Sequence, residues 1–260
     1  MQLPGARRLV PLFLAAALAS PLAMAPLAPT TSAATSDRFR LDLAEGRDFV
    51  AQTNFVQCVG ASMQMMLNIM DVQEDRTDRR QLQLQNLARE LSGPARSGFS
   101  RKGASVRGWS AGLNQLGTGP FRLVGTTTID EALRLAAKAI RATGKPVGLL
   151  VWSGRHAWVM SGFQATADPR KTDDFDVTRA IVLDPLYPYG SARWSRSPKP
   201  REALTPSVLG KQFVPRRGGS WAGAPLGTPG GSTLSGLAGK YVIVMPYEPV
   251  IIRRHRHVAL

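Results

Sequence analysis

Between residues 146 and 184 three β-rich runs, "PVGLLVW", "HAWVMSGF" and "RAIVLD", follow one another with turn-type residues between them. The first gap is only "SGR", too short for the crossover that parallel strands require, so these runs predict a hairpin-built, mainly antiparallel sheet. "FRLVGT", 121–126, adds an earlier strand and "GKYVIVMPY", 239–247, a later one.

Helical patterns come ahead of that sheet. From Cys58 onward "CVGASMQMMLNIMD" has helical spacing, with Val59, Met63, Met66 and Met70 on one apolar face and Gln64, Asn68 and Asp71 on another. A second helix is expected over 78–92, where Leu82, Leu87 and Leu91 recur before Gly93-Pro94, and a weaker third over 104–116. Thr128 with Glu131 forms a capping box opening "IDEALRLAAKAIRATG", which Gly144 closes. Helices followed by an antiparallel sheet place the chain in the α+β class, as one domain of about two hundred residues.

Both ends and one internal stretch read differently. Arg7-Arg8, the apolar run "LVPLFLAAALASPLAMAPLA" and the small residues of "TSAATS" have the order of an export signal, residues 1–34, with cleavage expected after Ala34 or Ala25 and an uncleaved anchor as the alternative. Pro11 and Pro21 argue against a stable spanning helix there. Residues 35–48 are expected as linker, 49–248 as the folded domain, and 249–260 as a basic tail. Within the domain, 185–237 is rich in Pro, Gly, Ser and Arg and reads as a long irregular connection.

The net charge is +15, falling to +13 once Arg7 and Arg8 leave with a leader that carries no acid. Such a field attracts anionic cell-wall polymers or a membrane surface. No recognition helix, zinc knuckle or aromatic-glycine RNA signature is visible, so no specific nucleic acid is expected. A monomer is expected, and no cofactor. His255 and His257 stand close together but lack partner ligands, so no metal site is expected either.

The chain has one cysteine. An exported protein with a lone thiol forms no internal disulfide, and the thiol is then either buried and inert or kept for chemistry. Cys58 falls at the first turn of a helix, where unpaired N–H groups and the helix dipole favour a thiolate. A small hydrophobe packing that turn would look the same from sequence.

A thiolate nucleophile needs a base. His255 and His257 lie in the terminal "RRHRHVAL", whereas His156 opens a strand after a turn. Asp184 ends the strand "AIVL" before Pro185 and is preferred as the orienting acid over Asp168, which sits in a polar loop. Gln52, six residues before Cys58, is placed to donate to an oxyanion together with the cysteine N–H. The five tryptophans, Trp109, Trp152, Trp158, Trp194 and Trp221, suggest core or cleft lining, and Trp152 and Trp158, which flank His156, suggest the cleft itself.

Taken together, Gln52-x5-Cys58-x-Gly60-Ala61, then His156-Ala157-Trp158-Val159, then Val182-Leu183-Asp184-Pro185 resemble the papain-like cysteine peptidases. The nearest branch in pattern is the bacterial double-glycine-leader peptidase group and its free-standing secreted relatives. The resemblance spans about residues 45–247. It implies Cys58 as nucleophile, His156 as general base and acid, Asp184 as the orienter of the histidine, and Gln52 in the oxyanion hole. Gln57 and Val59 depart from the residues that often flank the cysteine in that branch, and no transporter domain follows. The expectation is a secreted or cell-surface thiol peptidase or amidohydrolase. A non-catalytic binding protein on the same scaffold, or an acyl transferase using the same triad, are the alternatives.

Overall fold

The structure, a computed structural model, describes residues 39–70, 74–93, 103–217 and 234–248. The expected export signal and basic tail, with His255, His257 and Trp221, lie outside the described residues, as does Asp71.

Nine strands and five α-helices build the described chain: β1 (Phe39–Asp42), α1 (Cys58–Ile69), α2 (Asp78–Glu90), α3 (Val106–Gln115), β2 (Phe121–Thr126), α4 (Ile129–Thr143), β3 (Val147–Val151), β4 (His156–Ala165), β5 (Val177–Leu183), β6 (Gly190–Ser191), β7 (Ser195–Arg196), β8 (Glu202–Leu204), α5 (Pro206–Leu209) and β9 (Tyr241–Pro246). Seven strands form one sheet, six in the order β2-β9-β3-β4-β5-β8 and β1 joined to β4 off that path, every pairing antiparallel. Long β4 pairs with β3 over its first half and with β1 over its second. The class is α+β, with a mainly antiparallel sheet, as the order of patterns predicts.

The sheet is covered on both faces, which is why its central runs are continuously apolar instead of alternating with polar residues. On one side α4 packs Ala132, Leu133, Ala136 and Ile140 against Leu149, Trp158, Met160 and Ile243. On the other, α1–α3 pack Met63, Met66, Leu84, Trp109 and Leu113 against Leu150, Ala157, Val159, Val242 and Val244. Successive residues of β4 and β9 thus serve opposite layers, the period-two rule of a strand.

The ends of α4 follow their sequence signals. Thr128 Oγ1 accepts from Glu131 N at 3.2 Å, and Gly144 closes the helix at φ +65°. The return bond of the capping box shifts by one residue, because Glu131 Oε2 accepts from Thr127 N at 3.3 Å.

Two expectations need correction. Residues 39–48 are not a linker: Phe39–Asp42 pair with Gly162–Ala165 of β4, and Gly46–Asp48 form a short 3₁₀ turn. Partly buried Phe39, Leu41 and Leu43 alternate as a strand does and pack on the core, so the fold begins by residue 39. The connection after Asp184 is also more ordered than its composition suggests. Its described part, 185–217 and 234–237, carries β6, β7, β8 and α5, and Leu209 and Phe213 lie in the core.

The helices also turn unexpected faces inward. Gln64 and Asn68 of α1, placed opposite the methionines by periodicity, are buried at 1% and 5% exposure. In α2 the buried face is Gln81, Leu84, Gln85 and Ala88, while Leu82 is half exposed. Leucine spacing alone therefore misjudges which side of α2 meets α1.

Candidate active site

Cys58 is the first residue of α1, partly buried, and Gln57 at the N-cap makes no side-chain cap. Ala61 N donates to Gln57 O at 2.9 Å and Gly60 N to Gln85 Oε1 at 2.9 Å. The N–H groups of Cys58 and Val59 take no acceptor among the described residues, which leaves the positive end of α1 open beside the sulfur.

α1 is docked on the sheet by Ser62, whose Oγ donates to Ala157 O at 3.1 Å in the core. That bond sets the first turn of α1 against the start of β4, where His156 stands at 3% exposure. Cys58 consequently lies close enough to His156 to raise its pKa. His156 Nε2 lies 2.7 Å from Asp184 Oδ1, and Asp184 is fully buried just beyond β5. The same oxygen accepts from Leu186 N at 2.8 Å. With Nε2 engaged, Nδ1 is the ring nitrogen left for the thiol, and the Asp184 contact sets which nitrogen each partner uses.

The surroundings favour a charged imidazole. Burial by itself pulls His156 down, but the Asp184 hydrogen bond, the Cys58 contact and the negative charges of both partners outweigh it. The net effect raises the group to about 9. A buried imidazole held towards its charged form by a neighbouring carboxylate and sulfur is suited to hold a proton taken from a partner.

Asp168 plays no part in this cluster. It takes both Arg141 Nε, at 2.9 Å, and Nη2, at 3.0 Å, and those bonds hold its carboxyl below the ordinary range.

Gln52 lies in the loop that runs into Cys58. Its backbone N–H donates to Pro185 O at 2.7 Å, which ties it to the residue after Asp184. Its side-chain Nε2 donates to Asn54 O at 2.8 Å, while Oε1 is buried with no partner among the described residues. The structure thus brings His156 and Asp184 into contact, sets the start of α1 with Cys58 beside them, and places Gln52 on the loop adjoining both ends of the group.

Trp152, which the sequence sets beside His156, supports the imidazole. The indole of Trp152 stacks on the ring of His156, centroids 4.3 Å apart and planes 30° from parallel. Trp152 sits in the β3–β4 turn at φ +57°, followed by Ser153 at +57° and Gly154 at +94°. Positive φ at two non-glycine residues in a row is costly backbone, and it persists here because the turn is fastened from outside. Gln212 accepts from both Trp152 N, through its carbonyl, and Trp152 Nε1, through Oε1, each at 2.9 Å. Gln212 Nε2 in turn donates to Arg196 O at 3.1 Å. Gln212 belongs to the irregular connection and carries no local motif, so nothing in the sequence flags it. Trp158, by contrast, is fully buried against the α4 layer and lines no cleft.

Among the described residues no three or more His, Cys, Asp or Glu side chains group as a metal site would require. Comparison of the chain with protein-family models, curated proteins and solved structures gave no significant match.

Proposed function

We propose that the chain is a thiol hydrolase that cleaves peptide or amide bonds through a Cys58 thioester, with a papain-like arrangement of its helices and sheet. The observation that carries this is the buried His156–Asp184 contact at 2.7 Å set against a cysteine at the open start of a helix. A structural cysteine has no need of a buried histidine oriented by a fully buried carboxylate, since desolvating both groups is costly.

Cys58, having given its proton to His156 Nδ1, attacks the substrate carbonyl carbon and forms an S–C bond as the carbonyl π pair moves onto oxygen. The Cys58 N–H and the Gln52 amide donate to that oxyanion, for which Gln52 Nε2 exchanges its bond to Asn54 O. Collapse expels the amine, which takes the proton from Nδ1, and leaves a thioester. His156 then accepts a proton from water as the water oxygen attacks the thioester carbon, and the acid is released with the thiolate. Asp184 holds the ring throughout and supports its cation.

The apolar, leader-like start and the net charge of +13 that remains without it support action outside the cytoplasm, near anionic polymers or membrane surfaces. Labelling the purified protein with a peptide-based acyl electrophile, alongside a fluorogenic peptide assay, tests the reading. Labelling confined to Cys58 and lost in His156→Ala is expected, whereas a thiol that reacts no faster than free cysteine overturns it.

A further inference from the structure

Behind the loop that leads to Cys58 stand two glutamines of α2, one helical turn apart and buried at 0% and 2% exposure, Gln81 and Gln85. Gln81 Oε1 accepts from Thr53 N at 2.8 Å and from Thr53 Oγ1 at 3.2 Å, and its Nε2 donates to Ala51 O at 3.0 Å. A single primary amide therefore grips the carbonyl before Gln52 and the N–H after it. Gln85 repeats the pattern one step along: its Nε2 donates to Val56 O at 2.9 Å and its Oε1 accepts from Gly60 N at 2.9 Å. Those two groups bracket Cys58.

The approach depends on Gly60. A Cβ there would lie 2.7 Å from Gln81 O and 2.8 Å from Gln85 Cβ, so only glycine lets α2 come close enough for both amides to reach. Burying two neutral amides is costly unless every group is bonded. Leucines would fill the same space at lower cost, but they would leave the direction of the backbone at 51–53 and 56–60 unset. What the amides add is the direction of two specific N–H groups.

Resting on the hydrolase reading, we propose that Gln81 and Gln85 are positioning residues for the oxyanion hole, Gln81 setting the Gln52 side chain and Gln85 setting the Cys58 N–H. Neither touches substrate. Each acts through the backbone on either side of one oxyanion donor, so their loss disorders oxyanion binding and spares the thiol–imidazole pair.

Two electrophiles separate these effects on the full chain. Iodoacetamide alkylates Cys58 by displacement of iodide and forms no oxyanion. N-acetylglycyl-glycinal is attacked at its aldehyde carbon, forming an S–C bond while the π pair moves to the oxygen, which occupies the oxyanion hole. In Gln81→Ala and Gln85→Ala the alkylation rate should stay within about twofold of the wild type, while affinity for the aldehyde falls about ten- to a hundredfold, the scale of a displaced oxyanion donor. Gln81→Glu keeps the size and the acceptor for Thr53 but loses the donor to Ala51 O. It should behave as Gln81→Ala and carries the comparison if the alanine variant does not fold. Aldehyde affinity unchanged in these variants, or both reactions lost in parallel, overturns the positioning role while leaving the hydrolase reading intact. A wild-type protein that is alkylated but binds no aldehyde overturns both.

Discussion

The backbone N–H of Gln52 donates to the carbonyl of Pro185 at 2.7 Å, so the segment before the cysteine and the turn after the aspartate are held edge to edge. Residues 133 positions apart in the chain thereby share one wall of the site.

That bond is made by backbone atoms, so alanine at 52 keeps it. Gln52→Ala should leave the melting temperature nearly unchanged and lower kcat by roughly ten- to a thousandfold with little effect on KM, as the proposed donation to the transition-state oxygen requires. Steady-state kinetics on one fluorogenic peptide check this. A rise in KM with kcat intact would make Gln52 a substrate-binding residue instead.

Cys58 makes no disulfide and is only partly buried. Cys58→Ala and Cys58→Ser should abolish turnover and alkylation with the melting temperature shifted by no more than a few degrees. Mass spectrometry after iodoacetamide treatment, with thermal melts, reads both.

Trp152 covers one face of an imidazole that is raised to about 9. An aromatic face over a desolvated cation contributes on the order of 0.5–2 kcal/mol, which is about 0.4–1.5 pKa units. Trp152→Leu should therefore lower the alkaline limb of the pH–rate profile by roughly that amount, whereas Trp152→Phe, which keeps a stacking ring, should move it less. Gln212→Leu should act in the same direction and more weakly, since the indole is loosened and not removed. Equal profiles for the leucine and phenylalanine variants would show that the ring only fills space.

The strands and helices were legible because their signals are local. Thr128 and Gly144 sit at the ends of α4 where cap chemistry puts them, and the "SGR" gap forces a hairpin. Cys58, His156 and Asp184 were legible for a related reason, as each stands at the end of a patterned element. The supporting residues were not. Gln81 and Gln85 interrupt a leucine pattern on α2, and their burial follows from the tight α1–α2 contact at Gly60, a tertiary fact. Gln212 reaches Trp152 from sixty residues away through a segment whose composition reads as loop. Phe39–Asp42 looked like linker because a four-residue strand is too short to show a period without its partner β4.

The last prediction concerns Asp184 and pH. His156 is raised to about 9 from an ordinary 6.5 against the pull of its own burial, and the Asp184 hydrogen bond is the largest favourable cause. A group raised on folding binds its proton more tightly in the native state, so its contribution to stability is fully present below pH 6.5. It is lost as pH rises through 9, with a slope approaching about 1.4 kcal/mol per pH unit while the native state holds one extra proton. Asp184→Asn keeps the shape and an acceptor for Leu186 N–H but removes the charge. The imidazole should then titrate lower, the alkaline limb of activity should move down with it, and the fall in stability between pH 6.5 and 9 should flatten. Asp184→Ala should do the same and lose further stability, because Leu186 N–H is left buried without its acceptor. Chemical denaturation at several pH values between 6 and 9.5, beside pH–rate profiles of the same variants, decides the matter. If Asp184→Asn and the wild type lose stability with the same slope over that range, the carboxylate is not what keeps His156 charged.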